Sequence, residues 1–148
     1  MKKLSLLAFA GALLFLASCE DDDKPNYVSP NYLAGQWKLT QVGELTSVPD
    51  GAIVDYTDVA GTCDEGDDIT FGEALNSTFT GNDYTTNGTE CDLVTTSGTY
   101  SLNGRDVTLT SGEDTTTLGV ITLTFEVLEF SYTDAESGEL VFHKYTKQ

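Results

Sequence analysis

The chain has 148 residues and a formal net charge of −17, with 24 acidic residues against 7 basic ones. That balance repels nucleic acid and anionic lipid, so phosphate-reading roles are excluded on electrostatic grounds, while cation binding stays open. The length suits one domain, and 39% apolar residues with 7 Tyr, 7 Phe and one Trp can build a core.

Lys2 and Lys3 precede an apolar run, Leu4 to Leu16, of the length a secretory h-region has and too short for a membrane span. The run ends in Leu16-Ala17-Ser18-Cys19, which resembles a bacterial lipobox. That resemblance implies a leader, residues 1–18, removed before Cys19, and a lipid on Cys19 as the membrane contact. Two or three acyl chains, as such lipoproteins carry, give permanent attachment, since one chain alone binds marginally. Cleavage also removes Lys2 and Lys3 and takes the charge from −17 to −19.

Glu20-Asp21-Asp22-Asp23 and Lys24-Pro25-Asn26 follow. The acidic run resembles an export signal to the outer face of the outer membrane. It also reads as a solvated tether, because like charges extend a chain. Residues 19–31 are therefore expected to be anchor and tether, and 32–148 the folded domain. Cell-surface display is the expected location, with the periplasmic side as the alternative.

From Leu33 onward, apolar and polar residues alternate in short runs bounded by Gly, Asn and Asp, the signature of half-buried strands. Gly35–Val42 opens the domain with Trp37 and Leu39 on one face. Thr46–Glu65 reads as loop apart from Ala52–Tyr56. Asp68–Phe71 turns Ile69 and Phe71 inward, and Ser77–Thr80 and Tyr84–Thr86 read as strand pieces around a turn at Gly81-Asn82-Asp83.

The second half alternates more regularly. Thr96–Leu102 puts Tyr100 and Leu102 inward, Asn103-Gly104 is a strong hairpin signal, and Asp106–Ser111 returns with Val107 and Leu109 inward. Gly112-Glu113-Asp114 turns into Thr116–Leu123, where Ile121 and Leu123, continued by Phe125, are assigned to the core. Phe130 and Tyr132 follow, then a turn at 135–138, then a last strand with Leu140 and Phe142 inward. Threonine fills the intervening positions, as suits the wet face of a pleated sheet.

About eight antiparallel strands with sequential hairpins predict an all-β fold, an up-and-down barrel that leaves no free edge; a two-sheet sandwich is the alternative. Beyond Cys19 the chain has only Cys63 and Cys91. In an oxidising compartment a disulfide is the expected pairing, with a reactive thiol or a metal pair as alternatives. One histidine in the chain leaves a four-ligand zinc site short of donors.

Tyr32-Leu33-Ala34-Gly35-Gln36-Trp37-Lys38-Leu39 resembles the first-strand Gly-x-Trp signature of lipocalins. With Cys63, Asp68–Phe71, Cys91, Gly98–Leu102 and Phe142–Tyr145, it resembles the lipocalin-like domain of bacterial surface lipoproteins over about residues 32–147. The resemblance implies a barrel whose closed end is plugged by Trp37. Its interior would be lined by Trp37, Leu39, Phe71, Tyr100, Leu102 and Leu109. Leu123, Phe125, Phe130, Tyr132 and Phe142 would complete that lining. So many large side chains predict a filled or narrow interior.

Other chemistry is sparse. Asp64-Glu65-Gly66-Asp67-Asp68 lacks EF-hand spacing and reads as a solvated acidic loop rather than a calcium site. His143 is assigned to the surface, opposite Phe142, and no G-x-S-x-G, P-loop or dinucleotide motif occurs. The expectation is a monomeric non-enzyme without cofactor, metal or nucleic-acid partner, binding a small hydrophobic molecule. The alternative is a surface module whose loops bind a glycan or a partner protein.

Overall fold

Nine strands form from this alternation among the residues described by the computed structural model, 27–49 and 51–148. The leader, Cys19 and the acidic run lie outside the described residues. A single helical turn, α1 (Pro30–Leu33), enters the domain, with Pro30 at its first position, where the missing N–H costs nothing. The strands are β1 (Gly35–Val48), β2 (Gly51–Asp58), β3 (Asp68–Phe71), β4 (Thr78–Asn87) and β5 (Glu90–Asn103). After them come β6 (Asp106–Ser111), β7 (Asp114–Leu123), β8 (Val127–Thr133) and β9 (Leu140–Lys147).

All neighbours are antiparallel, and β9 pairs back onto β1 to close the barrel. The extra strand is β2. It pairs with β1 from Gln41 to Val48, whereas β3 pairs with β1 only from Gly35 to Lys38. The segment between β2 and β3 makes a 3-10 turn, Cys63–Gly66, which a disulfide from Cys63 to Cys91 ties to the β4–β5 hairpin. The barrel predicted from the alternation is therefore present, and the sandwich alternative is not.

Local strand readings depart in two places. Residues 46–58, read mostly as loop, form a long β1–β2 hairpin instead, because β1 continues to pair with β9 on its other side as far as Glu44. Gly81-Asn82-Asp83 is no turn. β4 runs unbroken through it because all three residues pair with β5. The actual turn is at Gly88, where φ is +70°.

Two irregularities in pairing reset which residues face inward. One falls between Leu39 and Gln41, so that Trp37 and Leu39 are followed inward by Val42. The other falls between Val120 and Thr122. Leu118 and Val120 are buried before it and Leu123 packs on the core after it, whereas Ile121, at the bulge, is exposed. Ile121 is thus not a core residue.

Candidate functional site

One end of the barrel is sealed. Trp37, Leu33, Phe71, Leu39, Leu128 and Val107 are its most deeply buried side chains. The Trp37 indole N–H donates to the carbonyl of Leu33 at 2.7 Å, so α1 and β1 lock together across the end. From β9, the Lys147 ammonium lies 4.7 Å from the Trp37 ring centroid and donates to the carbonyls of Tyr32 and Ala34 at 3.0 and 2.5 Å. The Tyr100 hydroxyl donates to Gly72 in the β3–β4 loop, at the same end.

The other half of the barrel is open. A cavity of about 380 Å³ lies there, with Ile69, Phe79, Leu109, Leu118 and Phe130 as its apolar wall. Asp83, Thr96, Ser111, Asp114, Tyr132 and His143 add polar groups, so the interior is filled at the plugged end and hollow at the mouth. Small-molecule sites have this mix of an apolar body and few placed polar groups.

His143 corrects the surface assignment: it lines the cavity. In β9, Val141, His143 and Tyr145 alternate inward, and Phe142 lies on the outer wall; the strand pairs with β8 without a break, so parity is strict. Phe142 is nevertheless buried, because Tyr56 of β2 crosses the outer wall above it. The Tyr56 hydroxyl donates to Glu129 on β8, its ring stands 5.8 Å from the Lys144 ammonium, and it packs over Gly43, which pairs with both Tyr56 and Phe142. Size and hydrophobicity pointed to Phe142; the strand's neighbours decided for His143.

His143 sits between two phenols. Its Nδ1 is 3.2 Å from the Tyr145 hydroxyl and its Nε2 is 3.5 Å from that of Tyr132. Tyr145 is buried, and among the described residues His143 is the sole partner of its hydroxyl. The Tyr145 proton therefore goes to Nδ1, the imidazole proton to Nε2, and the Tyr132 hydroxyl keeps its own proton to donate within the cavity. Burial holds His143 neutral, with its pKa lowered to about 4. Burial likewise raises both phenols, Tyr145 well above the ordinary value, and the charges of Asp67 and Asp83 add to the effect.

The mouth is acidic. Asp67 accepts from the Tyr84 backbone N–H at 2.6 Å, yet burial and the neighbouring Asp83, Asp64 and Asp68 raise its pKa to about 6. Asp83 is solvent-reachable at the rim, yet enough barrel wall surrounds it to raise its pKa too, helped by Asp68. Asp68 carries its carboxylate alongside Asn82, whose amide nitrogen is 3.1 and 3.2 Å from the two oxygens. No group of three or more His, Cys, Asp or Glu side chains is placed to hold a metal ion among the described residues.

Of the expected lining, Leu109, Phe130 and Tyr132 reach the cavity. Trp37, Leu39, Phe71 and Tyr100 are buried in the plug and its surroundings, and Leu102 packs on the core. Leu123 borders a second cavity, of about 500 Å³, between Tyr27–Tyr32 and residues 120–124, where the Arg105 guanidinium is taken up by the carbonyls of Val120 and Ile121. Phe125 is a correction: it is 67% exposed in the β7–β8 turn, where Thr124 accepts from the N–H groups of Glu126 and Val127, and its ring packs on Tyr32. Leu140 faces out, as Phe142 does, but without a cover it is exposed. His143, Tyr145 and Asp83 were missed, and parity counted back from Lys147, which reaches the Trp37 plug, would have found the first two.

An up-and-down antiparallel barrel with one end plugged by a first-strand tryptophan and a cavity at the other end is a lipocalin-type architecture. The chain belongs to the lipocalin-like domain family, whose profile matches residues 33–130. It is similar in structure to an uncharacterized protein of Bacteroides eggerthii, at 17% identity over 78% of this chain and 99% of that one, with a TM-score of 0.47. It is also similar to the bovine lipocalin allergen Bos d 2, at 15% identity over 80% of this chain and 73% of that one, TM-score 0.46. Bovine odorant binding protein, as a deswapped triple mutant, matches at 14% identity over 79% and 74%, TM-score 0.44. No curated protein matches the sequence.

Proposed function

We propose that this protein binds a small, largely apolar molecule in the open half of its barrel, as a monomer held outside the cytoplasm by a lipid on Cys19. The observation that carries the reading is the 380 Å³ cavity in a barrel whose other end is plugged. Membership of the lipocalin-like family supports it. Native mass spectrometry of residues 26–148, purified under mild conditions, tests it. A co-purifying mass lost on denaturation supports the carrier, and a clean apo mass after incubation with cell-surface lipid extract counts against it.

The anchor has its own test. Cys19→Ala should move the protein from the membrane fraction to the soluble one, and unchanged membrane fractionation would refute lipidation. The scaffold reading draws on Leu45, Ile53, Leu93 and Val94, exposed apolar residues on the two long hairpins, and gains if the cavity proves empty.

A further inference from the structure

The cavity has a charge preference built into its wall. Its inward-facing carboxylates are Asp83 and Asp114, with Asp68 at its edge turned to Asn82, and none of Lys38, Arg105, Lys144 or Lys147, the basic residues among those described, takes part in it. Lys147 is committed to the Trp37 plug, Lys144 stands over Tyr56 on the outer wall, and Arg105 is held at the closed end. The remaining titratable base, His143, is buried and neutral, so nothing inside offsets the carboxylates.

Those carboxylates are not equivalent. Asp67 takes the Tyr84 N–H, and Asp68 has Asn82 beside it. Asp83 makes no side-chain hydrogen bond to any described residue, and it sits on β4 between Gly81 and the mouth, on the inward parity shared with Phe79. Opposite it stand the rings of Phe130, Tyr132, His143 and Tyr145, packed against one another with centroids 5.2 to 6.3 Å apart. A ring wall of this kind attracts a cation across its faces as well as an apolar body.

We propose that the cavity selects an organic cation, an amine whose apolar body lies along Leu109, Leu118 and Phe130 and whose ammonium pairs with Asp83. This rests on the carrier reading and sharpens it, because a fatty acid or other carboxylate would bring its charge into a cavity that has acidic groups and no cationic side chain. Asp83 and Asp114 stand at the exposed rim, so this discrimination acts at the mouth and weakens as salt is added.

Three probes sharing one ring system and differing in charge test it on residues 19–148 carrying Cys19→Ser: tryptamine, tryptophol and indole-3-propionate, by isothermal titration at neutral pH. The expected result is at least tenfold tighter binding of tryptamine than of tryptophol, with indole-3-propionate weaker than both. Asp83→Asn should bring tryptamine down to the level of tryptophol. Asp58→Asn, which removes the same charge from the outer wall, should keep the preference, and thermal melting confirms that both variants fold. Equal binding of the three, a preference for the carboxylate, or no binding by any overturns the proposal. A neutral or acidic ligand found by native mass spectrometry would overturn it while leaving the carrier reading intact.

Discussion

Lys147, the penultimate residue, lies with its ammonium 4.7 Å from the ring centroid of Trp37, the aromatic anchor of the first strand. The same ammonium donates to Tyr32 and Ala34, so one side chain fastens α1, β1 and β9 at the closed end. Lys147→Met keeps the stem and removes the charge and donors, leaving two carbonyls to water. A loss of about 1–2 kcal/mol is expected in urea unfolding, from the lost cation–π contact and charge-assisted hydrogen bonds. No change would show that the carbonyls and the ring do not need Lys147.

The Cys63–Cys91 bridge spans 28 residues and ties the 3-10 turn to the β4–β5 hairpin, where β2 and β4 do not pair. Cross-linking a loop of this size contributes about 3–4 kcal/mol on the chain-entropy account. The double variant Cys63→Ala/Cys91→Ala should lose an amount of that order in thermal melting. Because the bridge also positions the turn that delivers Asp67, the variant's fast-exchanging amides should include Tyr84 in hydrogen-exchange measurements.

Two groups in the open half pull stability in opposite directions with pH. Asp67 has its folded pKa raised from 3.8 to about 6, so the folded state holds this proton more tightly than the unfolded chain does. Its contribution is therefore full below about 3.8 and lost as pH rises through 6. His143, lowered from 6.5 to about 4, contributes above 6.5 and loses that contribution as pH falls through 4, worth roughly 3 kcal/mol at full extent. Asp67→Asn keeps the acceptor for Tyr84 and should stabilise above pH 6, with the gain vanishing near pH 4. His143→Gln should flatten the acid limb. Stability curves from pH 3.5 to 7.5 read both, and parallel curves for wild type and variants would contradict the assignment.

Close approach of strands makes one glycine irreplaceable. A Cβ on Gly98 would lie 1.9 Å from the Thr110 carbonyl oxygen and 3.0 Å from the Phe79 ring, so β5 and β6 would have to part. Gly81, on the neighbouring strand, has open space where its Cβ would go. Gly98→Ala should cost more than about 3 kcal/mol, whereas Gly81→Ala should fall within about 1 kcal/mol of wild type. Denaturant midpoints of the two variants check the contrast.

Much of the fold was legible because it depends on local chemistry. Strict alternation, Asn103-Gly104 and Gly112-Glu113 set strands and turns through backbone preferences that neighbours in sequence already decide. The β2 hairpin arm was not, since Thr46–Asp58 has weak alternation and becomes a strand through pairing with a β1 that β9 supports from its other side. The continuity of β4 through Gly81 has the same origin in its β5 partner.

The candidate site was harder to read for a geometric reason. A strand shows two faces, and composition tells which is more apolar, not which is inside. In β9 the apolar choice, Leu140 and Phe142, is the outer face, because Tyr56 supplies Phe142 with a cover that no inspection of β9 alone reveals. Phe125 keeps the phase of Leu123 but lies beyond the end of β7, in the turn held by Thr124, so the strand's alternation no longer places it.

The sequence by itself determined the class of fold, the tryptophan at the start of the barrel, the cysteine pairing and the acidic character, all of which follow from composition, periodicity and residue chemistry. Only the tertiary structure decided that His143, Tyr132 and Asp83 share a cavity while Phe142 and Phe125 do not. They come from β9, β8 and β4, and they meet because the sheet closes on itself with its parity shifted at two irregular pairings. Closure is a property of all the strands together, so no single strand's pattern contains it.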